Sequence, residues 1–179
     1  MDSDAFACNI IACMTDSQKT IERLIETAID VELQIASLYE AFSDMFPQVP
    51  GLAAFWNSMK RDEMEHVTIL EETRGLLTSE KLSAEAPSKT WDDIFGVQSM
   101  LKQNQLETIH TLDDAYELAH EIESSEANAI LELLSFEAFA RAKRRQLVHL
   151  IIDHHLEKLT DFSRSFGDRE SRKRVRRNV

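Results

Sequence analysis

The chain has 179 residues, a formal charge of −12, and 29% charged against 43% hydrophobic residues. That length carries one domain with a sizeable core, and only four Gly and three Pro, set among many Ala, Leu, Glu and Ile, point to an all-α fold. From Arg164 onward seven Lys or Arg face two acids, so the tail carries +5 and the remainder −17. An acidic body argues against nucleic acid as the main partner and suits either cation handling or plain solubility.

No stretch approaches the ~20 apolar residues of a membrane span. The lead-in, residues 1–14, has no basic segment, and Asn9 breaks its short apolar run, so it does not read as a signal peptide. A cytoplasmic protein is expected. Cys8 and Cys13 lie in this lead-in and read as reduced thiols. There is no Cys-x-x-Cys pair, so this chain alone builds no rubredoxin-like or zinc-ribbon site.

Thr15-Asp16-Ser17-Gln18 has the form of a capping box and predicts a helix from there to about Ser43. Its inward stripe is Ile21, Leu24, Ile25, Ala28, Ile35, Tyr39 and Phe42, and Glu32 falls within it. Pro47 and Pro50 mark the first turn, with Pro50 suited to an early helical position. The second helix, Leu52 to Leu77, turns Leu52, Phe55, Met59, Leu70 and Leu77 inward. Glu63 and His66, three residues apart, share that face. Phe55 and Trp56 read as packing.

A long connection, about 78–110, follows. It contains Pro87 and a short helix after Trp91, and it reads as a crossover spanning a bundle. Thr111-Leu112-Asp113-Asp114 is a weaker capping box opening a third helix. Its stripe is Leu112, Ala115, Tyr116, Ala119, Ile122, Ile130 and Leu133, with Glu123 and Glu126 inside it. The fourth helix turns Val148, Ile151, Ile152, Leu159 and Phe162 inward, with His155 among them, and Gly167 is its stop. Residues 15–166 make the bundle. The basic tail, 167–179, reads as a solvated, disordered end. His110 falls in a loop and His120 on an outer face.

The heights agree. Glu32 and Glu63 average to the Pro47 turn, so antiparallel helices bring them level. Glu123 and the 152–155 segment average to about 138, which predicts a second turn near 137–139. Ala28-x-x-x-Glu32 is matched by Ala119-x-x-x-Glu123, as in an internal repeat of a two-helix unit. Glu32, Glu63, His66, Glu123, Glu126 and His155 are thus expected at one level. Converging carboxylates without a cation repel one another, and oxygen-rich ligation with one or two imidazoles suits iron or manganese better than a thiolate-seeking metal.

At these residues the chain resembles the ferritin-like superfamily, and rubrerythrin within it. That pattern is Glu on helix one, Glu-x-x-His on helix two, Glu-x-x-Glu on helix three and Glu-x-x-His on helix four. Glu32, Glu63 with His66, and Glu123 with Glu126 match the first three elements, and Tyr39 matches a family tyrosine near the metals. The resemblance implies a four-helix bundle of two antiparallel pairs joined by a long crossover. It implies two iron ions held by Glu32, Glu63, His66, Glu123, Glu126 and His155, with manganese, zinc or a single metal as alternatives. The implied activity is reduction of peroxide or dioxygen, with Tyr39 hydrogen-bonding beside the metals. The missing rubredoxin-like domain implies a separate electron-donor protein. A homodimer or larger homo-oligomer is expected, with neither nucleic acid nor membrane as partner.

The fourth element departs from the pattern. It reads Ile152-Asp153-His154-His155, and Ile cannot bind a metal. Asp153 lies ~100° around the helix from position 152. Other repairs are a shifted register using Gln146 and His149, or a weakened second metal position. Two further functions therefore stand beside the redox enzyme: ferrous oxidation and storage, and a single-metal protein without turnover.

Overall fold

The computed structural model describes residues 19–102, 105–135, 155, 157–162 and 166, with the side chains of 102, 105 and 126–135 outside that description. The fold is all-α, and among the described residues there is no strand, only an isolated bridge between Thr20 and Glu85.

Helix α1 is Ile21–Met45. It starts later than the capping box at Thr15 predicts. Thr20 is the cap, its Oγ1 accepting the Arg23 N–H at 3.3 Å. The reason lies across the chain: Ile21 N–H donates to the Ala84 carbonyl at 2.9 Å and Ala86 N–H to the Lys19 carbonyl at 2.8 Å. That pairing holds Lys19 and Thr20 extended, while residues 15–18 lie outside the described ones. The predicted stripe from Ile21 to Phe42 is buried, Glu32 with it.

The first turn ends at Gly51, whose φ of +84° lies in the left-handed region that a side chain disfavours. Leu52 N–H donates to the Val49 carbonyl at 3.2 Å, so Pro50-Gly51 occupies the centre of a type II turn. Pro50 therefore lies in the turn that it and Pro47 were expected to mark, ahead of the first helical residue. Helix α2 is Leu52–Leu76. Leu52, Met59 and Leu70 are buried as expected, Phe55 and Leu77 are half-buried, and Trp56 and Val67 join the buried face. Helices α1 and α2 form the most extensive pairing in the described structure.

The crossover is more built than a connection. After a short helix α3, Ser79–Leu82, comes α4, Ser88–Lys102, of 15 residues. It begins before Trp91, with the Pro87 carbonyl accepting the Trp91 N–H at 3.3 Å, so the expected short helix after Trp91 is corrected. Trp91, Ile94 and Val97 are buried along one face, and α4 packs on α1 and on the next long helix. A 3₁₀ turn, Gln105–Thr108, leads into that helix, α5, Leu112–Ser135.

The α5 capping box closes reciprocally. Asp114 N–H donates to Thr111 Oγ1 at 3.1 Å and Thr111 N–H to Asp114 Oδ2 at 2.7 Å. The hydroxyl of Thr111 and the backbone N–H donors of His110 and Thr111 hold the Asp114 carboxyl below its ordinary pKa. His110 and His120 are exposed, as expected. The chain is helical again at 155 and over 157–162, with His155, Leu159 and Phe162 buried. The predicted second turn at 137–139, Ile152, Gly167 and both cysteines lie outside the described residues. None of the described helices is long and apolar enough to cross a membrane.

One aromatic layer follows from heptad spacing. Tyr39, Trp56, Tyr116 and Phe162 stand seven residues from Glu32, Glu63, Glu123 and His155 respectively, or two helical turns, ~10.5 Å. Their rings touch: Tyr39–Trp56 centroids are 5.6 Å apart, Trp56–Phe162 5.2 Å and Phe162–Tyr116 5.5 Å. Seven-residue steps in opposite chain directions converge on one level only if α1 and the last helical segment run against α2 and α5.

Candidate metal centre

Below that layer, α1, α2, α5 and the last helical segment each send a polar side chain into the core. Glu32, Glu63, His66, Glu123 and His155 are all buried, none more than 2% exposed. Their helices leave them no alternative direction, because each lies within the apolar stripe that packs its helix. Such groups carry a desolvation penalty unless partnered.

The partners are one another. His66 Nδ1 lies 3.3 Å from Glu32 Oε2 and 3.0 Å from Glu63 Oε2. His155 Nδ1 lies 2.6 Å from Glu123 Oε2 and 3.5 Å from Glu63 Oε1. Glu63 thus stands between the two imidazoles, one oxygen toward each. The rings themselves are 4.9 Å apart between centroids. Tyr39 hydroxyl donates to Glu123 Oε1 at 2.5 Å, a length typical of an O–H donor on a carboxylate.

The sequence reading missed Asp62. It sits one residue before Glu63, and its Oδ2 lies 3.5 Å from His155 Nε2. Lys158 Nζ donates to the same oxygen and to Ser58 Oγ at 3.0 Å. Asp62 is only partly buried on its helix, so no stripe pattern flags it. The available signal was the Asp-Glu pair: where Glu63 turns inward, its neighbour reaches the flank of the facing helix.

These contacts set the charge of His155. Burial pushes its pKa down, but the nearby Glu123 carboxylate, hydrogen bonds to Asp62 and Glu123, and the Glu63 charge outweigh that and raise it to about 11. Burial also pushes Asp62 up, and His155 and Lys158 overcome it and hold the carboxyl low.

The donor set fits a cation. Glu63, His66 and His155 each offer a ligand atom within 4.8 Å of the others. Glu32 Oε1 is buried with no hydrogen-bond partner among the described residues, and it belongs to a carboxylate already beside His66. Of the expected ligands, Glu32 and Glu123 flank this compact trio. Glu126 lies on α5 with its side chain outside the described residues. No family model, curated protein or solved structure matches the chain.

Proposed function

We propose that the chain is a metal-dependent redox protein: a ferritin-like four-helix bundle of rubrerythrin type, holding iron and reducing hydrogen peroxide or dioxygen with electrons from a separate donor. The observation that carries this reading is Glu63 placed between His66 and His155, with all three buried and their ligand atoms within 4.8 Å. Oxygen and imidazole donors without thiolate favour iron or manganese. The antiparallel running of four helical segments, inferred from the aromatic layer, supports the bundle.

Glu63, His66 and His155 would hold the metal, with Glu32 and Glu123 at its flanks, and the bound metal would supply the electron chemistry. The chain's own residues do the rest. Tyr39 fixes Glu123 through its hydroxyl. Asp62, anchored by Lys158, orients the His155 ring so that Nδ1 faces the carboxylates, as partners of metal-binding histidines commonly do. The aromatic layer excludes water from one end. To hold a metal His155 would give up its proton, so loading would release acid.

The compact trio also favours a second reading, a single ion on two histidines and one carboxylate. The test loads metal-free protein anaerobically with ferrous iron, desalts it and adds hydrogen peroxide. Each peroxide takes one electron from each of two ferrous ions and two protons to give two waters. Peroxide consumption in proportion to bound iron, lost in Glu63→Ala, is the expected result. Undiminished consumption by Glu63→Ala overturns the assignment.

A further inference from the structure

We propose that the layer Tyr39–Trp56–Phe162–Tyr116 is a one-electron relay joining the buried centre to the surface at Tyr116. This rests on the redox reading above. Sequence alone assigns Trp56 to packing; the ring ladder gives it a second role.

The relay begins at the centre itself. Tyr39 hydroxyl donates to Glu123 Oε1 at 2.5 Å, and Glu123 Oε2 lies 2.6 Å from His155 Nδ1. A phenol that loses an electron must lose its proton, and the Glu123 carboxylate is placed to take it. Tyr39 stacks on Trp56 at 20° between ring planes. Trp56 is fully buried, and its indole Nε1 has no hydrogen-bond acceptor among the described residues. An oxidised indole there cannot give up its proton. It therefore stays strongly oxidising and draws an electron onward instead of settling.

The next ring is Phe162, in contact with Trp56 at 5.2 Å and parallel to Tyr116 within 12° at 5.5 Å. Phenylalanine is not oxidised, so it acts as a short bridge. Tyr116 ends the ladder. It is half-buried and lines an open surface hollow of about 470 Å³ with Glu117, His120 and Ser124. Of the four residues it alone is more than slightly exposed, so solvent is the natural acceptor of its phenolic proton.

The step balances with hydrogen peroxide supplied beyond the half-equivalent that turns each ferrous ion ferric. Each further H2O2 would take two electrons and two protons at the centre and give two waters, and the relay would bring each electron singly. Trp56 and Tyr39 pass it and are restored, the Tyr39 proton moving to Glu123 and back. Tyr116 loses one electron and releases one proton to water, becoming a neutral phenoxyl radical. A reductant of the phenol or thiol class at the hollow returns one electron and one proton.

The test uses the full chain, loaded with ferrous iron, desalted and assayed for metal. Peroxide is added in several-fold excess over iron, samples are frozen at intervals for electron paramagnetic resonance, and oxidised Tyr116 is quantified by peptide mass spectrometry. Oxidation of Tyr116 should fall about tenfold or more in Trp56→Phe, which keeps an aromatic ring in the layer. Metal content should be unchanged and the chain should stay folded at the assay temperature, with a melting temperature lowered by the smaller ring. In Tyr116→Phe, which removes only the hydroxyl of a half-buried residue, an indole radical should accumulate instead. Iron that is bound and oxidised without any protein radical, or equal Tyr116 oxidation in Trp56→Phe, overturns the relay and leaves the metal centre standing. A chain that takes up no metal overturns both.

Discussion

In one half of the centre, Glu32 and Glu63 flank His66 Nδ1 at 3.3 and 3.0 Å. In the other, Glu123 lies 2.6 Å from His155 Nδ1, and the second carboxylate within reach is Glu63 again, at 3.5 Å. The halves are built alike. Each pairs a Glu with a His 34 or 32 residues later, and each sets a buried Ala one turn before that Glu. They differ three residues before the histidine, where one has Glu63 and the other Ile152. The second half therefore leans on the carboxylate of the first. It is braced in compensation, by Tyr39 on Glu123 and by Asp62 and Lys158 on His155. The two halves thus share the buried Ala, Glu and His but not the residue three positions before the His.

The comparison can be broken most strongly at the shared residue. Glu63→Ala removes a donor from both halves, and metal affinity should fall by about 100-fold or more, at or beyond the top of the range for losing a mere supporting group. Metal analysis after dialysis reads it. Loss of metal from one half only would show that Glu63 is not shared. Ile152→Glu should sharpen the comparison from the other side. It restores Glu-x-x-His before His155, and tight metal should rise from about one to about two ions per chain, as expected for a carboxylate-bridged pair.

Smaller effects test the braces. Tyr39→Phe leaves Glu123 without its phenol donor, and denaturant unfolding should show a loss of about 1.5–3 kcal/mol, the range for a hydrogen bond to a charged group. Lys158→Met frees Asp62 and should weaken metal binding by up to about tenfold, with Lys158→Arg restoring it. In the metal-free protein, His155 adds a pH term. Its pKa is about 11 in the folded chain against 6.5 for an unperturbed histidine, so its contribution is full below pH 6.5 and is lost as pH rises toward 11. The urea midpoint should decline across that window, and His155→Gln should flatten the decline.

The stripes of α1 and α2, and that of α5 as far as Glu123, were legible because burial repeats with the helical period, and Glu32, Glu63 and Glu123 stood out as acids within them. The Pro47 turn put Glu32 level with Glu63, and the carboxylates of both lie beside His66 Nδ1. Four features were not legible. The start of α1 depends on a bridge to residues 84–86, which lie far along the chain. The extent of α4 depends on packing against α1 and α5, not on its own caps. Asp62 acts across a helix interface from a partly buried position, where periodicity carries no signal. The sharing of Glu63 is likewise a property of two facing helices and of neither alone.

The most direct test is titration of the metal-free chain with cobaltous ion, followed by visible absorption and by metal analysis. One tight equivalent should appear, with bands that Glu63→Ala abolishes, followed by a weaker second equivalent. Absence of binding by the native chain, or bands that survive in Glu63→Ala, would contradict a centre built around Glu63.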